Sequence, residues 1–120
     1  MNIAIVDDDV HFSNMFNTLI QDYLPKIFSS YKVTIISDNF FSILSDSHFD
    51  IIFLDIDLNN LTGIGIASFL KNKKNNNPLI IFVSSKNELV FDALSVQPFQ
   101  FIRKSNLLED TALVFNLLNN

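Results

Sequence analysis

The chain has 120 residues, which fits one domain and leaves no room for two. Hydrophobic residues make up 48% and charged residues 18%, which argues against disorder, and the lack of cysteine excludes disulfide and thiolate chemistry. The net charge of −5 argues against a basic face that binds nucleic acid. No segment reads as a signal peptide or as the ~20 apolar residues of a membrane span, so we expect a cytoplasmic domain over residues 1–120.

Strand and helix patterns alternate from the N-terminus. A short apolar run at residues 3–6 predicts a buried strand, and apolar side chains over residues 12–23 recur with the spacing of one helix face. Pro25 can end or kink this helix. A second strand is predicted at residues 33–36, after which Asp38 can cap a second helix.

The second half of the chain continues the alternation. A strand at residues 51–54 lacks polar alternation, as expected for a strand covered on both faces. A loop over residues 55–62 leads to a helix at 63–71, and the polar tract 71–77 is predicted to be a solvated helix end and loop. The remaining elements are a strand at 79–83, a helix at 87–95, a short strand at 99–102 and a helix at 107–118. Five such units predict an α/β fold with a doubly wound, five-stranded parallel sheet and helices on both faces.

Polar and charged side chains follow four of the predicted strands. In a doubly wound sheet, ligands bind beyond the carboxyl ends of the strands, which meet at one edge. We therefore expect one site to draw on four strand ends: Asp7, Asp8 and Asp9; Asp55 and Asp57; Ser84 and Ser85; Arg103 and Lys104. This convergence of acids, hydroxyls and bases is the strongest functional signal in the sequence.

A cluster of carboxylates has a limited set of uses. The carboxylates repel one another unless a cation neutralises them or some of them bind protons. Mg²⁺ suits such a cluster because it prefers carboxylate, water and phosphate oxygens, and an Asp carboxylate can also attack phosphorus to form an aspartyl-phosphate. Simpler roles are expected for the outlying residues: Asp9 and Asp38 as helix caps, Ser85 as a loop hydroxyl, and His11 and His48 without a metal or catalytic role.

The order and spacing of these residues resemble the receiver domain of two-component response regulators over nearly the whole chain. Residues 3–9 resemble the family's first strand with its acidic pair, and residues 53–58 resemble the strand that ends in the phosphorylated Asp. Gly63 stands where the family has the Gly that opens its third helix. Residues 82–85 and 101–104 resemble the segments that carry the family's Ser or Thr and its Lys. The resemblance implies a flavodoxin-like (βα)5 fold.

The resemblance also implies a phosphorylation site that depends on Mg²⁺. Asp55 would be the phosphoacceptor and a metal ligand. Asp7 and Asp8 would hold the metal directly or through water, and Asp57 would contribute its backbone carbonyl. The donor would be a sensor histidine kinase. The domain would not be an enzyme in the ordinary sense, since it would catalyse only its own phosphorylation and dephosphorylation.

A switch is implied by three further positions. Ser84 would form a hydrogen bond with the attached phosphoryl group, and Lys104 would pair with one of its oxygens. Phe101 stands at the place of a rotating aromatic switch residue and, without a hydroxyl, would act by packing alone. The output would be a shift of the surface made by the fourth helix, the fifth strand and the fifth helix, which could also form a homodimer.

The stretch at residues 93–101 resembles receivers of the LytTR class, including quorum-sensing regulators of Gram-positive bacteria. Such receivers usually carry a C-terminal LytTR DNA-binding domain, so DNA would be bound only through a domain that is absent from these residues. The chain would then be a truncated regulator or a stand-alone receiver. Because the helix at residues 107–118 is apolar over more than one stripe, we expect it to meet a second copy or that C-terminal domain.

Two positions depart from the family pattern, and two other functions stay open. Asn59 stands where the family often has Pro, and Ser105 follows Lys104 where the family usually has a cis-Pro. Because a cis bond before a non-proline residue costs about 2.5–4 kcal/mol, we expect the Lys104–Ser105 bond to be trans.

The change at Ser105 leaves open a pseudo-receiver that is never phosphorylated and acts as a docking module. The Asp55-x-Asp57 spacing is also that of haloacid-dehalogenase-like phosphatases.

Overall fold

Five parallel strands form the central sheet in the computed structural model, which describes residues 1–46, 48–58, 61–72 and 77–120. The strands are β1 (Asn2–Val6), β2 (Lys32–Ile36), β3 (Ile51–Leu54), β4 (Leu79–Ser84) and β5 (Gln100–Arg103). Their order across the sheet is β2-β1-β3-β4-β5, and every neighbouring pair is parallel. The predicted flavodoxin-like fold is confirmed.

Helices cover both faces of this sheet because its inner strands are apolar on both sides. The helices are α1 (Val10–Ile20), α2 (Phe40–Asp46), α3 (Gly63–Lys71), α4 (Val90–Leu94) and α5 (Leu107–Leu118). Along β1, Ile3 and Ile5 face a layer that contains α1 and α5, whereas Ala4 and Val6 face a layer that contains α2, α3 and α4. The alternation of side chains along a strand thus divides one apolar run between two cores.

Phenylalanine rings fill much of the layer between the sheet and the helices α1 and α5. Phe53 on β3 meets the edge of Phe16 on α1 at a centroid distance of 5.1 Å, and Phe115 on α5 lies 6.1 Å from Phe53. Tyr23 stacks on Phe115 at 4.8 Å. These rings join both helices to the middle of the sheet and account for part of the high phenylalanine content.

Several element boundaries differ from the sequence-based prediction. The helix α1 ends at Ile20, and Pro25 lies in the first turn of a separate helical turn, Leu24–Ile27, where a missing N–H costs nothing. Asn39, with φ of 50°, precedes α2 in place of Asp38. Asn is one of the residues that tolerate this left-handed conformation.

The loops contain more regular structure than the sequence suggests. The predicted loop 55–62 holds two short antiparallel strands, Asp57–Leu58 and Leu61–Thr62. The helix predicted at residues 87–95 is a 3₁₀ turn (Asn87–Leu89) followed by α4. Asn59 and most of the polar tract 71–77 lie outside the described residues. Within the described ranges, no helix has the length and apolar character of a membrane span.

Candidate functional site

Two central strands end side by side and place the first carboxylates of the site. Val6 on β1 is in register with Leu54 on β3, so Asp7 and Asp55 follow adjacent strand ends. The N–H of Asp55 donates to the carbonyl of Val6 at 2.9 Å, and the N–H of Asp7 donates to the carbonyl of Ile36 at 3.1 Å. Both backbones are therefore fixed by the sheet, while their side chains lie beyond its carboxyl edge.

Three carboxylates meet at this edge, as the sequence predicts. Asp7, Asp8 and Asp55 each offer an oxygen, and the three oxygens lie within 4.8 Å of one another. Only 2% of Asp7 and 6% of Asp55 is exposed, and Asp8 is half-buried. Three carboxylate oxygens so close together, two of them on buried side chains, form a donor set that fits a hard divalent cation.

Burial has a direct effect on the charge of this cluster. Burial, followed by the negative charge of Asp7, raises the pKa of Asp55 to about 6. Burial also raises the pKa of Asp7, although a hydrogen bond from Lys104 opposes this effect. The cluster therefore holds its negative charge at a cost in solvation, which a bound cation would offset.

Lys104 reaches into the acidic cluster from the end of β5. Its Nζ donates to Asp7 Oδ2 at 2.8 Å, lies 3.7 Å from Asp55 Oδ2, and sits 4.0 Å from the centroid of the Phe12 ring. The Lys104–Ser105 peptide bond is trans, as predicted. The absence of a cis bond thus does not prevent the lysine from reaching the cluster.

Arg103, expected at the same edge, turns away from the acidic cluster. Its guanidinium forms two hydrogen bonds of 2.9 Å with the carboxylate of Asp110 on α5. Asp110 and Phe12 were not predicted as site residues, because in the sequence each is an ordinary residue of a predicted helix. The one available signal for Asp110 was an acidic residue in the first turn of a helix close to an Arg, which is a common pattern.

Ser84 and Asp57 flank the cluster on neighbouring loops. Ser84 ends β4 and is fully buried, and its hydroxyl accepts a hydrogen bond from the N–H of Lys86 at 3.0 Å. The N–H of Asp57 donates to Asp55 Oδ1 at 3.2 Å. The Asp57 side chain instead forms an ion pair with Lys86, with 3.0 Å between Oδ2 and Nζ. The Asp57 carboxylate therefore contacts a lysine of a neighbouring loop, while its backbone N–H contacts Asp55.

Gly63 packs directly against the backbone of the phosphoacceptor candidate. Its N–H donates to the carbonyl of Ile56 at 2.7 Å. A Cβ at this position would collide with the carbonyl oxygen of Asp55 and would lie 2.8 Å from the Cα of Ile56. Only glycine allows this close approach, which starts α3 immediately behind Asp55.

Among the described residues, the outlying candidates add no ligand group to the cluster of Asp7, Asp8 and Asp55. Asp9 caps α1, and its Oδ1 accepts a hydrogen bond from the N–H of Phe12 at 3.0 Å, so its predicted capping role is confirmed. Ser85 is exposed. His48 lies 3.7 Å from Asp50, just before β3 and so at the opposite edge of the sheet.

Phe101 lies on β5, outside the acidic cluster and close to α4. Its ring is half-buried, and its centroid lies 6.5 Å from that of Phe82 on β4. It also borders a cavity of about 200 Å³ between α4 and β5, whose lining includes Val90, Ala93 and Pro98. The ring therefore has open space beside it on the outer side of the sheet.

Comparison with known proteins agrees with this arrangement. Residues 3–114 match the family described as the response regulator receiver domain. The chain therefore belongs to the response regulator receiver domain family. No curated protein matches the sequence.

Solved structures share the fold at low sequence identity. The chain is similar to the response regulator TrrA from Thermotoga maritima in complex with Mg²⁺-BeF, with 18% identity, 98% and 97% coverage of the two chains, and a TM-score of 0.77. It is also similar to the receiver domain of a DNA-binding response regulator from Colwellia psychrerythraea 34H, with 19% identity, 98% and 94% coverage of the two chains, and a TM-score of 0.79. A third match is a response regulator from Burkholderia pseudomallei with a phosphorylated aspartic acid and a calcium ion. It has 14% identity, 95% and 65% coverage of the two chains, and a TM-score of 0.73.

Proposed function

We propose that this receiver domain is a phosphorylation switch that accepts a phosphoryl group from a sensor histidine kinase on Asp55. One observation carries the proposal: a buried Asp55 carboxylate lies among Asp7, Asp8 and the ammonium group of Lys104. This arrangement supplies a nucleophile, a cation site and a positive side chain around one carboxylate. Two of the similar structures were solved with an aspartyl-phosphate or with Mg²⁺-BeF, which supports the proposal.

The proposed transfer moves the phosphoryl group of a phosphohistidine to the ionised carboxylate of Asp55. A carboxylate oxygen of Asp55 forms a bond to phosphorus while the phosphorus–nitrogen bond breaks, and the electron pair of that bond stays on the imidazole nitrogen. Hydrolysis reverses the modification: a water oxygen attacks phosphorus, the bond to Asp55 breaks, and its electron pair restores the carboxylate. Both protons of the water leave with inorganic phosphate, as H2PO4⁻, which then equilibrates with the solvent. The domain thus catalyses only changes to itself.

Mg²⁺ is the proposed cofactor. Asp7, Asp8 and Asp55 would hold it with their carboxylates, and Asp57 would contribute its backbone carbonyl. When bound, the metal supplies neutralisation of the charge on the transferring oxygens. The pairing of the Asp57 side chain with Lys86 supports a role for its carbonyl rather than its carboxylate.

Ser84, Lys104 and Phe101 are the proposed switch. Lys104 lies 3.7 Å from the Asp55 carboxylate and so needs only a small movement to pair with an attached phosphoryl oxygen. Ser84 would turn its hydroxyl from the Lys86 N–H to that group. Phe101 would then repack beside the cavity at α4. A nearly complete change of state requires about 5.5 kcal/mol of differential stabilisation.

The output side of the proposal is the surface of α4, β5 and α5. We propose that it forms a homodimer or controls a C-terminal LytTR-type DNA-binding domain, so that residues 1–120 act as the receiver of a transcription regulator. Leu113 and Leu117, which are exposed and lie one turn apart on α5, support an unfilled contact there. A cytoplasmic location stays a prediction.

The two alternative functions are less well supported by the geometry. Ser105, in place of the family's cis-Pro, kept a pseudo-receiver open. Lys104 nevertheless contacts the acidic cluster, although the Lys104–Ser105 peptide bond is trans. A haloacid-dehalogenase-like phosphatase would use the Asp57 carboxylate as an acid beside the nucleophile. That carboxylate is instead exposed and paired with Lys86.

Labelling with a small phosphodonor separates the three functions. With acetyl phosphate and Mg²⁺, we expect the wild type to take up one acid-stable phosphoryl group and Asp55→Asn to take up none, because an amide cannot attack phosphorus. Asp92→Asn, which changes an exposed acid on α4, is the matched control and should label normally. Label on Asp55→Asn would identify a different nucleophile. An unlabelled wild type would favour the pseudo-receiver, and steady turnover of a phosphomonoester would favour the phosphatase.

A further inference from the structure

Asp110 on α5 is a buried carboxylate that the proposed phosphorylation chemistry does not use. Only 7% of this residue is exposed, yet its two oxygens accept four hydrogen bonds. Three come from Arg103: the backbone N–H and Nε donate to Oδ2, each at 2.9 Å, and Nη2 donates to Oδ1 at 2.9 Å. The fourth comes from Asn106 Nδ2, at 3.1 Å from Oδ1. We call this set of contacts the Asp110 clamp.

The Asp110 clamp holds the chain on both sides of Lys104. Arg103 immediately precedes the lysine, and Asn106 follows it by two residues at the start of α5. Residues Lys104–Asn106 form a 3₁₀ turn. One carboxylate on α5 therefore fixes the entry and the exit of the turn from which the Lys104 side chain extends.

The hydrogen bonds of the Asp110 clamp are strong enough to fix the conformation of the turn at residues 104–106. Two-point contacts between a guanidinium and a carboxylate are charge-assisted and directional, and they are among the stronger hydrogen bonds in proteins. The hydrogen bonds from Arg103 lower the pKa of Asp110 to about 2, and Asp110 raises the pKa of Arg103. Both groups therefore stay charged at neutral pH.

We propose that Asp110 is a positioning residue for Lys104, and that its clamp does here what a cis-Pro after the lysine would do by backbone geometry. The inference rests on the proposed function only in so far as Lys104 assists phosphorylation of Asp55. Asp110 touches neither Asp55 nor the phosphodonor. It acts by fixing the backbone position of Lys104, so that the ammonium group of the lysine lies 2.8 Å from Asp7 Oδ2.

A double-mutant cycle with Lys104 tests the proposal. Asp110→Asn keeps the size of the side chain but turns one acceptor into a donor that faces Arg103. We expect it to slow labelling by acetyl phosphate on the order of tenfold, as a misplaced catalytic group does. In a Lys104→Ala background the same substitution should have no further effect, because the residue that it positions is gone. Equal slowing in both backgrounds, or no slowing at all, overturns the proposal.

Two further variants keep the test independent of folding. Arg103→Ala retains the backbone N–H and the Asn106 bond to Asp110, and it should slow labelling in the same direction, again only when Lys104 is present. Asp92→Asn removes an exposed charge on α4, outside the clamp, and should label like the wild type. Circular dichroism establishes that each variant is folded.

A direct measurement on Lys104 separates failure of the clamp from failure of the proposed function. In the metal-free protein without phosphodonor, the NMR order parameter of the Lys104 side chain should fall in Asp110→Asn and stay unchanged in Asp92→Asn. An unchanged order parameter in Asp110→Asn overturns the clamp even if the wild type is phosphorylated. A wild type that takes up no label refutes the proposed function, while a lowered order parameter still supports the positioning of Lys104.

Discussion

Lys104 donates to Asp7, at 2.8 Å, although it also lies 3.7 Å from Asp55. The two buried carboxylates therefore share one ammonium group unequally. Asp7 receives the hydrogen bond, which opposes the rise of its pKa caused by burial. Burial, followed by the adjacent charge of Asp7, raises the pKa of Asp55 to about 6, against the weaker opposing effect of the more distant Lys104. The proposed nucleophile is thus the less well compensated of the two acids in the metal-free protein.

Asp55→Asn should stabilise the metal-free protein at pH 7. Because the pKa of Asp55 is raised from 3.8 to about 6, the folded protein binds more protons than the unfolded chain between these values, so stability falls as the pH rises through them. The amide avoids this loss. We expect the free energy of unfolding at pH 7 to increase by up to about 3 kcal/mol.

Urea unfolding in the presence of a chelator measures this effect. The gain should be present at pH 7 and should disappear near pH 4, where the wild-type carboxyl is protonated as well. Asp92→Asn, an exposed site, should match the wild type at both values. Equal stability of Asp55→Asn and the wild type at pH 7 would show that burial of the ionised Asp55 carboxylate does not destabilise the folded protein.

Asp8→Ala should weaken Mg²⁺ binding on the order of tenfold or more, because it removes one of three charged oxygen ligands. Isothermal titration of the unphosphorylated domain with Mg²⁺ measures the affinity. Asp92→Ala removes an equal charge far from the cluster and so controls for net charge. Unchanged affinity in Asp8→Ala would exclude Asp8 as a ligand.

Gly63→Ala should lower the free energy of unfolding by about 1–3 kcal/mol or more, since its Cβ would collide with the backbone carbonyl of Asp55. Thermal or urea unfolding measures the loss. Gly65→Ala, two residues further along α3, is the matched control. There a Cβ would lie 3.2 Å from the Thr62 hydroxyl, and the change in stability should stay within about 1 kcal/mol. Equal effects at both glycines would rule out a special role for the close approach at Gly63.

The exposed leucines of α5 should support self-association. Leu113 and Leu117 lie one turn apart on one face of α5 and are 63% and 44% exposed, so they form an exposed apolar patch. We expect sedimentation velocity to show a dimer whose population increases when beryllofluoride is added. Leu113→Lys should reduce it, whereas Phe41→Lys, at an exposed position on α2, should not. A monomer with and without beryllofluoride would leave a C-terminal domain as the remaining candidate for this face.

Much of the site could be predicted from the sequence because topology alone determines where parallel strands end. Asp7, Asp55, Ser84 and Lys104 each occur at or just after a strand end, and the order of the strands brings these ends together. The interpretation required only the apolar runs and the rule that ligands bind at the carboxyl edge.

The contacts that hold the site together could not be predicted from the sequence. The Arg103–Asp110 pair and the Phe12 ring beside Lys104 depend on the directions of long side chains across different elements. Nothing in the spacing of Phe12 and Asp110 distinguishes them from the other residues of amphipathic helices. The position of Asn39 before α2 was missed for a local reason, since Asp and Asn are both good capping residues and stand next to each other.

Lys104 and Asp7 are 97 positions apart in the chain. Their contact therefore closes nearly the whole polypeptide into one loop, and it belongs to the slowest class of contacts to form. A chain still emerging from the ribosome, or one cut before β5, has Asp7 and Asp55 but not their cation. Competence for phosphorylation should thus appear late and all at once during synthesis, so phosphodonor labelling of nascent chains would report completion of the fold.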